Sequence, residues 1–341
     1  MNTAWRRPII ILLALAVAGL VPTGVAAQEA LPEEPEPLGI AMEGYDYPYP
    51  VHFHAFTIDG QDVRMAYMDV PPTGTPTGQT VVLFHGKNFF GAYWENTIEA
   101  LSAAGHRVVI PDQIGFGKSS KPIMPYSFHK MGRHTSALLD TLGVGSVAVV
   151  GHSMGGMVAS RFALMHPDRV THLILENPIG LEDYRRKVPY VPTKRIYQGV
   201  LNTTEETIRA YQESYYVEWE PEYEEYVQVH YRWTLSGAYP RLAMVSALTA
   251  QMVYEQPVVY EFPLIETPTL LVIGQEDRTA LGKGRVSEEV RATLGQYPEL
   301  GRKAAESIPN ARLVALDGVG HTPHLAAPDR FHEPLLDFLD S

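Results

Sequence analysis

The residues best suited to chemistry lie at 151–155, where Gly-His-Ser-Met-Gly matches the pattern G-x-S-x-G. A valine-rich run precedes the pattern and a run of small residues follows it, as expected for a strand, a sharp turn and a helix. Such a turn exposes its central hydroxyl at the carboxyl end of the strand, and flanking glycines let the backbone pass closely. The pattern therefore predicts that Ser153 is a nucleophile.

A hydroxyl nucleophile needs a general base, and that base needs an acid that orients it. His321 follows the last predicted strand and is the predicted base, and Asp277 follows the preceding strand and is the predicted acid. The chain order serine, acid, histidine is the order that accompanies this type of turn. Glu276 and Glu176 stay open as alternative acids, because each also lies close after a predicted strand.

The attack of a serine on a carbonyl group creates an oxyanion, which two backbone N–H groups can stabilise. Met154, directly after the nucleophile, is expected to supply one N–H group. Lys87 follows the strand that ends in Phe-His-Gly and is expected to supply the other through its main chain, with the Asn88 side chain as an additional donor. His85 is expected to have a structural role in this loop.

Two further patterns suggest other chemistry but are incomplete. His324 lies three residues after His321, yet no second pair with metal-ligand spacing accompanies them and H-E-x-x-H is absent. Residues 117–119 read Gly-Lys-Ser, like the end of a phosphate-binding loop, but Asp112 stands where that loop requires glycine. We therefore expect neither a metal nor a cofactor.

The overall composition excludes several classes of protein. The 341 residues include no cysteine, are 45% hydrophobic and 19% charged, and carry a formal net charge of −12. This composition excludes a disordered chain and a disulfide scaffold, and the acidic balance argues against a nucleic-acid partner. We expect a monomer or weak oligomer that acts on a small, ester-like molecule.

The N-terminus predicts export. Two arginines precede an apolar run of 13 residues, and small residues at 25–27 form a cleavage site, so residues 1–27 read as a signal peptide. An uncleaved anchor is the alternative, although the run is short for a membrane span. We expect a periplasmic or secreted protein that is not inserted in the membrane after cleavage. Residues 28–50, rich in Pro, Glu and Tyr, are predicted to form an extended arm.

The elements that must position these residues alternate between short apolar runs and helical patterns. Val51–Ile58 and Gln61–Val70 flank Asp-Gly, a hairpin signal. The remaining alternation at 51–176 and 264–341 predicts a mostly parallel sheet with helices on both faces, an α/β fold. Residues 177–263 break the alternation, hold 12 of the 19 tyrosines, and are predicted to form a mainly helical insertion over the sheet. We expect the last regular helix to begin near Pro334, after an initial turn at Pro328, because proline breaks helix interiors.

In combination, five segments of the chain resemble signatures of the α/β-hydrolase fold family. They are the serine motif, the His-Gly loop, the Asp-Gln-Ile-Gly-Phe-Gly-Lys-Ser segment at 112–119, the Gly-x-x-Asp loop and the Gly-His-Thr-Pro-His ending. The resemblance runs from about residue 51 to 339. It implies that residues 177–263 form a cap. The core is most similar to the capped subgroup of epoxide hydrolases, haloalkane dehalogenases, cofactor-free haloperoxidases, carbon–carbon bond hydrolases and small-ester esterases.

Departures from these subgroups narrow the expected activity. Epoxide hydrolases and dehalogenases use an aspartate nucleophile where this chain has Ser153, and some carbon–carbon bond hydrolases place tryptophan where it has Thr322. We expect an exported hydrolase of small carboxylic esters or lactones, with Asn88, Phe89 and Trp94 binding the substrate. Carbon–carbon bond hydrolysis, perhydrolysis and a ligand-binding role without turnover stay open as alternatives.

Overall fold

A tight turn at Asp59 and Gly60 connects the first two strands of the computed structural model. Both residues have positive φ angles, 48° and 77°. Positive φ at both central positions defines a type I′ turn, whose twist matches that of the two strands that it joins. The strands span Val51–Ile58 and Gln61–Val70, so the hairpin prediction is confirmed in type and in bounds.

The structure describes residues 35–341 of the chain. The predicted signal peptide at 1–27 and the first part of the predicted arm lie outside the described residues. Within residues 35–341, none of the helices is both long enough and apolar enough to cross a membrane.

In the described part of the chain, eight strands form one sheet in the order β1-β2-β4-β3-β5-β6-β7-β8. The first strand pairs antiparallel with the second and the second with the fourth, and every other pair is parallel. The strands are β1 (Val51–Ile58), β2 (Gln61–Val70), β3 (Thr80–Phe84), β4 (Arg107–Pro111), β5 (Val147–His152), β6 (Val170–Glu176), β7 (Thr269–Gly274) and β8 (Ala311–Leu316). Because β3 and β5 to β8 run in parallel, their carboxyl ends meet at one edge of the sheet.

Helices cover both faces of the sheet, and four of them lie between β6 and β7. They are α1 (Glu95–Ala103), α2 (Phe128–Thr141), α3 (Met154–Met165), α4 (Thr193–Leu201), α5 (Glu205–Glu213), α6 (Glu224–Thr234), α7 (Tyr239–Glu255), α8 (Glu288–Arg291), α9 (Tyr297–Ser307), α10 (Pro323–Ala326) and α11 (Pro328–Leu339). We refer to the segment between β6 and β7, with α4 to α7, as the insertion.

The core has two layers, one on each face of the sheet. Successive residues of β3 alternate between them: Val82 and Phe84 pack with α2, α3 and α9, whereas Val81 and Leu83 pack with α1 and α11. This period of two is the geometry of a strand that is buried on both faces. Each fully buried aliphatic side chain contributes about 1.5–3 kcal/mol by leaving water.

The expectation that a regular helix begins near Pro334 is wrong. Helix α11 runs from residue 328 to 339 and contains Pro334. A proline inside a helix costs about 3 kcal/mol, chiefly through a lost backbone hydrogen bond. Burial of Phe331, Leu335 and Phe338 against the sheet outweighs this cost, because each of these side chains is at most 8% exposed.

The segment 36–50 has no helix or strand but is firmly packed. Leu38 and Met42 are buried beside Trp233 of the insertion. The Leu38 N–H group donates to the Arg232 carbonyl at 3.0 Å, and the Lys118 ammonium donates to the Met42 carbonyl at 2.9 Å. The segment therefore connects the insertion with the loop after β4.

Candidate active site

Ser153 stands at the sharp turn between β5 and α3. Its φ angle is 55°, a left-handed conformation that non-glycine residues adopt rarely and that is common at strained functional turns. A side chain at Gly155 would lie 2.0 Å from the Phe84 carbonyl oxygen, and one at Gly151 would lie 2.3 Å from the Gly155 carbonyl oxygen. Only glycine fits at these two positions, which explains the spacing of the motif.

The structure brings Ser153, His321 and Asp277 together from three different loops. His321 Nε2 lies 2.9 Å from Ser153 Oγ, and His321 Nδ1 lies 2.7 Å from Asp277 Oδ2. A carboxylate only accepts hydrogen bonds, so Nδ1 carries the proton and Nε2 is left to accept from the serine hydroxyl. All three residues are at most 6% exposed. This arrangement lets His321 remove the serine proton.

The Asp277 carboxylate is held by two further donors. Asn177 Nδ2 donates to Oδ2 at 2.8 Å, and the Thr279 N–H group donates to Oδ1 at 2.7 Å. Burial alone raises the pKa of Asp277, but the charge of His321 and these hydrogen bonds outweigh burial and leave the pKa below its usual value. The sequence analysis missed Asn177, whose only signal is its place directly after β6. Its Oδ1 accepts from the Gly274 N–H group at 2.9 Å, which fixes the end of β7.

Glu176, an alternative acid in the sequence analysis, contacts a different histidine. Its Oε1 accepts from the His324 N–H group and from His324 Nδ1, both at 2.8 Å. Burial raises the pKa of Glu176 to about 7. Glu276, the other alternative, lies beside Asp277 in the chain, and it is Asp277 that contacts His321. Within residues 35–341, no three His, Asp or Glu side chains are grouped as a metal site.

The prediction that Trp94 binds substrate is wrong. Its ring is fully buried and stacks on the His324 ring, with the ring centres 4.2 Å apart. A short 3₁₀ helix at Gly91–Trp94 turns the indole toward the core beneath the site. Proximity in sequence to the Lys87 loop therefore does not place Trp94 in a binding site.

His152 and Tyr93, which the sequence analysis did not assign to the site, connect its two sides. His152 Nε2 donates to the His321 carbonyl at 2.8 Å, because a carbonyl oxygen can only accept. Burial lowers the pKa of His152 to about 3, so the ring is neutral and Nδ1 accepts from the Tyr93 hydroxyl at 2.9 Å. The Gly86 N–H group donates to the same hydroxyl at 3.0 Å. One chain of hydrogen bonds thus joins the loop after β3 to the backbone of His321.

The loop after β3 lies directly against the nucleophile. A Cβ atom on Gly86 would lie 3.2 Å from the Ser153 Cβ atom. Met154 is the first residue of α3, so its N–H group has no acceptor inside the helix, and no residue among 35–341 accepts from the Lys87 N–H group. His85 is structural, because Nδ1 donates to the Gly86 carbonyl at 2.8 Å and Nε2 accepts from the Gln113 N–H group at 3.0 Å.

A cavity of about 350 Å³ lies between this loop and the insertion. Lys87, Asn88 and Phe89 form part of its wall, and the rest comes from the loop after β4, which includes Lys121, and from the insertion, mainly α5, α6 and α7. Two of the three predicted substrate-binding residues, Asn88 and Phe89, therefore line a partly open cavity of a size that suits a small ligand. Asn88 Nδ2 also donates to the Tyr215 hydroxyl at 3.0 Å.

Tyr215 makes the insertion part of the site. Its carbonyl oxygen accepts from the His321 N–H group at 2.7 Å, and its ring centre lies 4.6 Å from that of His321. Sequence analysis did not single out Tyr215 among the many tyrosines of the insertion. The contact joins residues 106 positions apart in the chain, which no local pattern signals.

Comparison with known proteins identifies the family. The sequence model of the α/β-hydrolase fold family matches residues 79–328, which is most of the chain. The chain belongs to the α/β-hydrolase fold family. This membership confirms the resemblance stated from the motifs and the predicted fold class.

Named relatives of this α/β-hydrolase are hydrolases. The crystal structure of a probable hydrolytic enzyme from Pseudomonas aeruginosa PAO1 is 46% identical, covers 90% of this chain and 99% of its own, and superposes with a TM-score of 0.88. A 2-hydroxy-6-oxononadienedioate/2-hydroxy-6-oxononatrienedioate hydrolase from Burkholderia vietnamiensis is 28% identical over 82% of this chain and 92% of its own. A thermophilic esterase from Thermogutta terrifontis is 25% identical, covers 85% of this chain and 98% of its own, with a TM-score of 0.63. This α/β-hydrolase is therefore a hydrolytic enzyme.

Proposed function

We propose that this α/β-hydrolase hydrolyses small carboxylic esters or lactones through an acyl-enzyme on Ser153. The observation that carries the proposal is the continuous alignment of Ser153 Oγ, His321 and Asp277, with distances of 2.9 and 2.7 Å. An aligned hydroxyl, imidazole and carboxylate is the arrangement that activates serine for attack on a carbonyl carbon. The esterase among the solved relatives gives further support.

In the first half of the reaction, Ser153 Oγ bonds to the carbonyl carbon while its proton passes to His321 Nε2. The carbonyl electron pair moves onto the oxygen, and the Lys87 and Met154 N–H groups bind this oxyanion. The ionised Asp277 stabilises the imidazolium of His321. The tetrahedral intermediate then expels the alcohol, which takes the proton from Nε2.

In the second half, His321 removes a proton from water, and the resulting hydroxide attacks the acyl carbon. The second tetrahedral intermediate collapses by breaking the bond to Ser153 Oγ, which recovers its proton from His321. The carboxylic acid leaves and the enzyme is regenerated. One ester molecule and one water molecule are consumed in each turnover, and no other reactant is needed.

The relatives favour one second candidate. The hydrolase from Burkholderia vietnamiensis is named for an oxo-dienedioate, and it covers most of this chain. Carbon–carbon bond hydrolysis of a vinylogous diketone would use the same serine and histidine. Thr322 follows His321 here, where some carbon–carbon bond hydrolases have tryptophan, so we rank this candidate second.

We also propose that the protein is exported, that residues 1–27 are removed, and that residues 177–263 act as a cap over the site. The charge and apolar pattern of the N-terminus supports export. The contacts of Tyr215 with His321 support a role for the insertion at the site. N-terminal sequencing of the chain from a periplasmic fraction tests the export, with glutamine at the new N-terminus as the expected result.

A panel of p-nitrophenyl esters from acetate to decanoate tests the proposed activity. We expect turnover by the wild-type protein and a loss of about 10⁵- to 10⁶-fold in kcat in the Ser153→Ala variant, as for other serine triads. The acyl chain length of the ester that is hydrolysed fastest indicates the length of the acyl-binding site. Equal turnover by both proteins contradicts the role of Ser153, and turnover only of a vinylogous diketone supports the second candidate.

A further inference from the structure

The cavity between the loop after β3 and the insertion contains a lysine that forms no ion pair within residues 35–341. The Lys87 ammonium points toward α7, where its one hydrogen bond in the described chain runs to Ser246 Oγ at 2.9 Å. An ammonium group has three donors, so two are left for other acceptors. Burial lowers the pKa of Lys87 to about 8, and no carboxylate opposes that shift. Lys87 is half-buried, and a cation that is partly removed from water without a counter-ion favours a ligand of opposite charge.

Lys121, the second lysine in the wall of the same cavity, shows the opposite case. Its ammonium donates to the backbone carbonyls of Phe116, Gly117 and Ser119. All three donors are used, which makes Lys121 a brace for the loop after β4. Of the two lysines, only Lys87 has donors left for a ligand.

The rest of the cavity wall contains no negative charge. Its residues are mostly apolar or aromatic, and none of them is Asp or Glu. Burial lowers the pKa of His230, also in the wall, to about 4, so its ring is neutral near pH 7. The protein as a whole is acidic, with a net charge of −12, so a cavity whose charged groups are two lysines is a local feature and not a consequence of composition.

We propose that Lys87 binds a free carboxylate group of the substrate. The preferred ester would then carry this carboxylate several bonds away from its scissile carbonyl group. The inference rests on the proposed function and names its substrate class. Gly86, the residue directly before Lys87, lies against Ser153, and Lys87 itself forms part of the cavity wall. The main-chain N–H group of Lys87 would thus bind the oxyanion, and its ammonium group would bind the carboxylate of the same substrate.

A matched pair of substrates tests the inference by kinetics. One is the p-nitrophenyl monoester of adipic acid, and the other is the ester in which an isopropyl group replaces the free carboxylate. We expect wild type to prefer the anionic ester in kcat/KM. Lys87→Met, which keeps the main-chain N–H group, is expected to reduce this preference about 10- to 100-fold, mainly through KM, as for one lost hydrogen bond to a charged group.

Lys303→Met is the matched control, because Lys303 is an exposed lysine paired with Glu299. This variant loses the same charge and is expected to keep the wild-type preference. The inference is overturned if wild type shows no preference for the anionic ester, or if Lys87→Met retains the preference.

Direct binding separates this inference from the proposed activity. Calorimetry measures the affinity of adipate for the Ser153→Ala variant and for Ser153→Ala combined with Lys87→Met. We expect about 10- to 100-fold weaker binding in the double variant. Binding that depends on Lys87, without hydrolysis of either ester, contradicts the ester hydrolase and leaves the carboxylate site. Hydrolysis that depends on Ser153, with adipate binding equally to both variants, contradicts the site alone.

Discussion

Two buried pairs of acid and histidine lie at the ends of neighbouring strands, and only one of the two histidines contacts a serine. Asp277, after β7, accepts from His321 Nδ1 at 2.7 Å, and Glu176, at the end of β6, accepts from His324 Nδ1 at 2.8 Å. The two pairs differ in the contacts of the second ring nitrogen, Nε2, of the histidine. His321 Nε2 reaches Ser153, whereas His324 Nε2 has no hydrogen-bond partner in residues 35–341. A carboxylate that orients a histidine is therefore not sufficient for catalysis without a nucleophile within reach.

The two carboxylates also differ in charge. Hydrogen bonds reach both oxygens of Asp277 and help to hold its pKa below the usual value, so it is ionised when His321 becomes positive. Glu176 Oε2 has no partner among the described residues, and burial raises the pKa of this group to about 7. The Asp277 pair is suited to stabilise a developing imidazolium, whereas the Glu176 pair packs among buried aromatic side chains, with His324 stacked on Trp94.

The strongest contrast is expected between the two histidines. His321→Gln removes the general base and is expected to lower kcat about 10⁵- to 10⁶-fold. His324→Gln is expected to keep kcat within about tenfold, because no ring nitrogen of His324 contacts Ser153. The measurement is turnover of the best p-nitrophenyl ester, with circular dichroism to confirm folding. Equal losses in the two folded variants contradict the division of roles.

Substitutions of the two acids are expected to differ almost as much in their effect on kcat. Asp277→Asn keeps the shape but favours the wrong tautomer of His321, and an expected loss of about 10⁴-fold in kcat follows. Glu176→Gln retains an oxygen that accepts from His324, so kcat is expected to stay within about tenfold of wild type. The same ester assay at pH 7 compares both. If the Glu176 variant is the more damaged, the acid of the site has been misassigned.

The smallest expected effect is on stability. The pKa of Glu176 is raised from 4.5 to about 7 in the folded protein, so between these pH values the folded state holds a proton that the unfolded state has lost. Glu176 therefore contributes a fall of about 2–3 kcal/mol in the free energy of unfolding as the pH rises from 4.5 to 7, which levels off above 7. Buried histidines with lowered pKa values, such as His152 and His230, contribute a rise over the same range.

Urea denaturation of wild type and Glu176→Gln at a series of pH values isolates this contribution, because the histidines contribute equally to both proteins. The free energy of unfolding of wild type minus that of Glu176→Gln is expected to fall by about 2–3 kcal/mol between pH 4.5 and 7. The corresponding difference for Asp277→Asn is expected to stay constant over this range, because a carboxyl with a lowered pKa changes stability only at more acidic pH. A constant difference for Glu176→Gln would contradict the raised pKa of Glu176.

Features that depend on local patterns were predictable from the sequence. The hairpin at residues 51–70, the parallel strands and the serine turn follow from periods of two, turn residues and close glycine contacts, which are properties of neighbouring residues. The sequence did not distinguish Asp277 from the alternative acids Glu276 and Glu176, because the choice depends on the distance from each carboxylate to His321.

Features that depend on the direction of a side chain across the fold were not predictable. Trp94 is near the site in sequence but faces the core, and Asn177 and Tyr215 support the site from loops that no motif marks. Pro334 shows the same limit for secondary structure, because burial of one helix face outweighs the preference of a single residue.

The hydrogen bond from the His321 N–H group to the Tyr215 carbonyl has a consequence for engineering this enzyme. Exchanging the insertion for that of a relative is a common way to seek new specificity, and it treats the insertion as a module. Here the exchange would also remove the acceptor that holds the backbone of His321, the proposed general base. A working chimaera must therefore keep the turn around residue 215 in register with His321, even where every helix that lines the cavity is replaced.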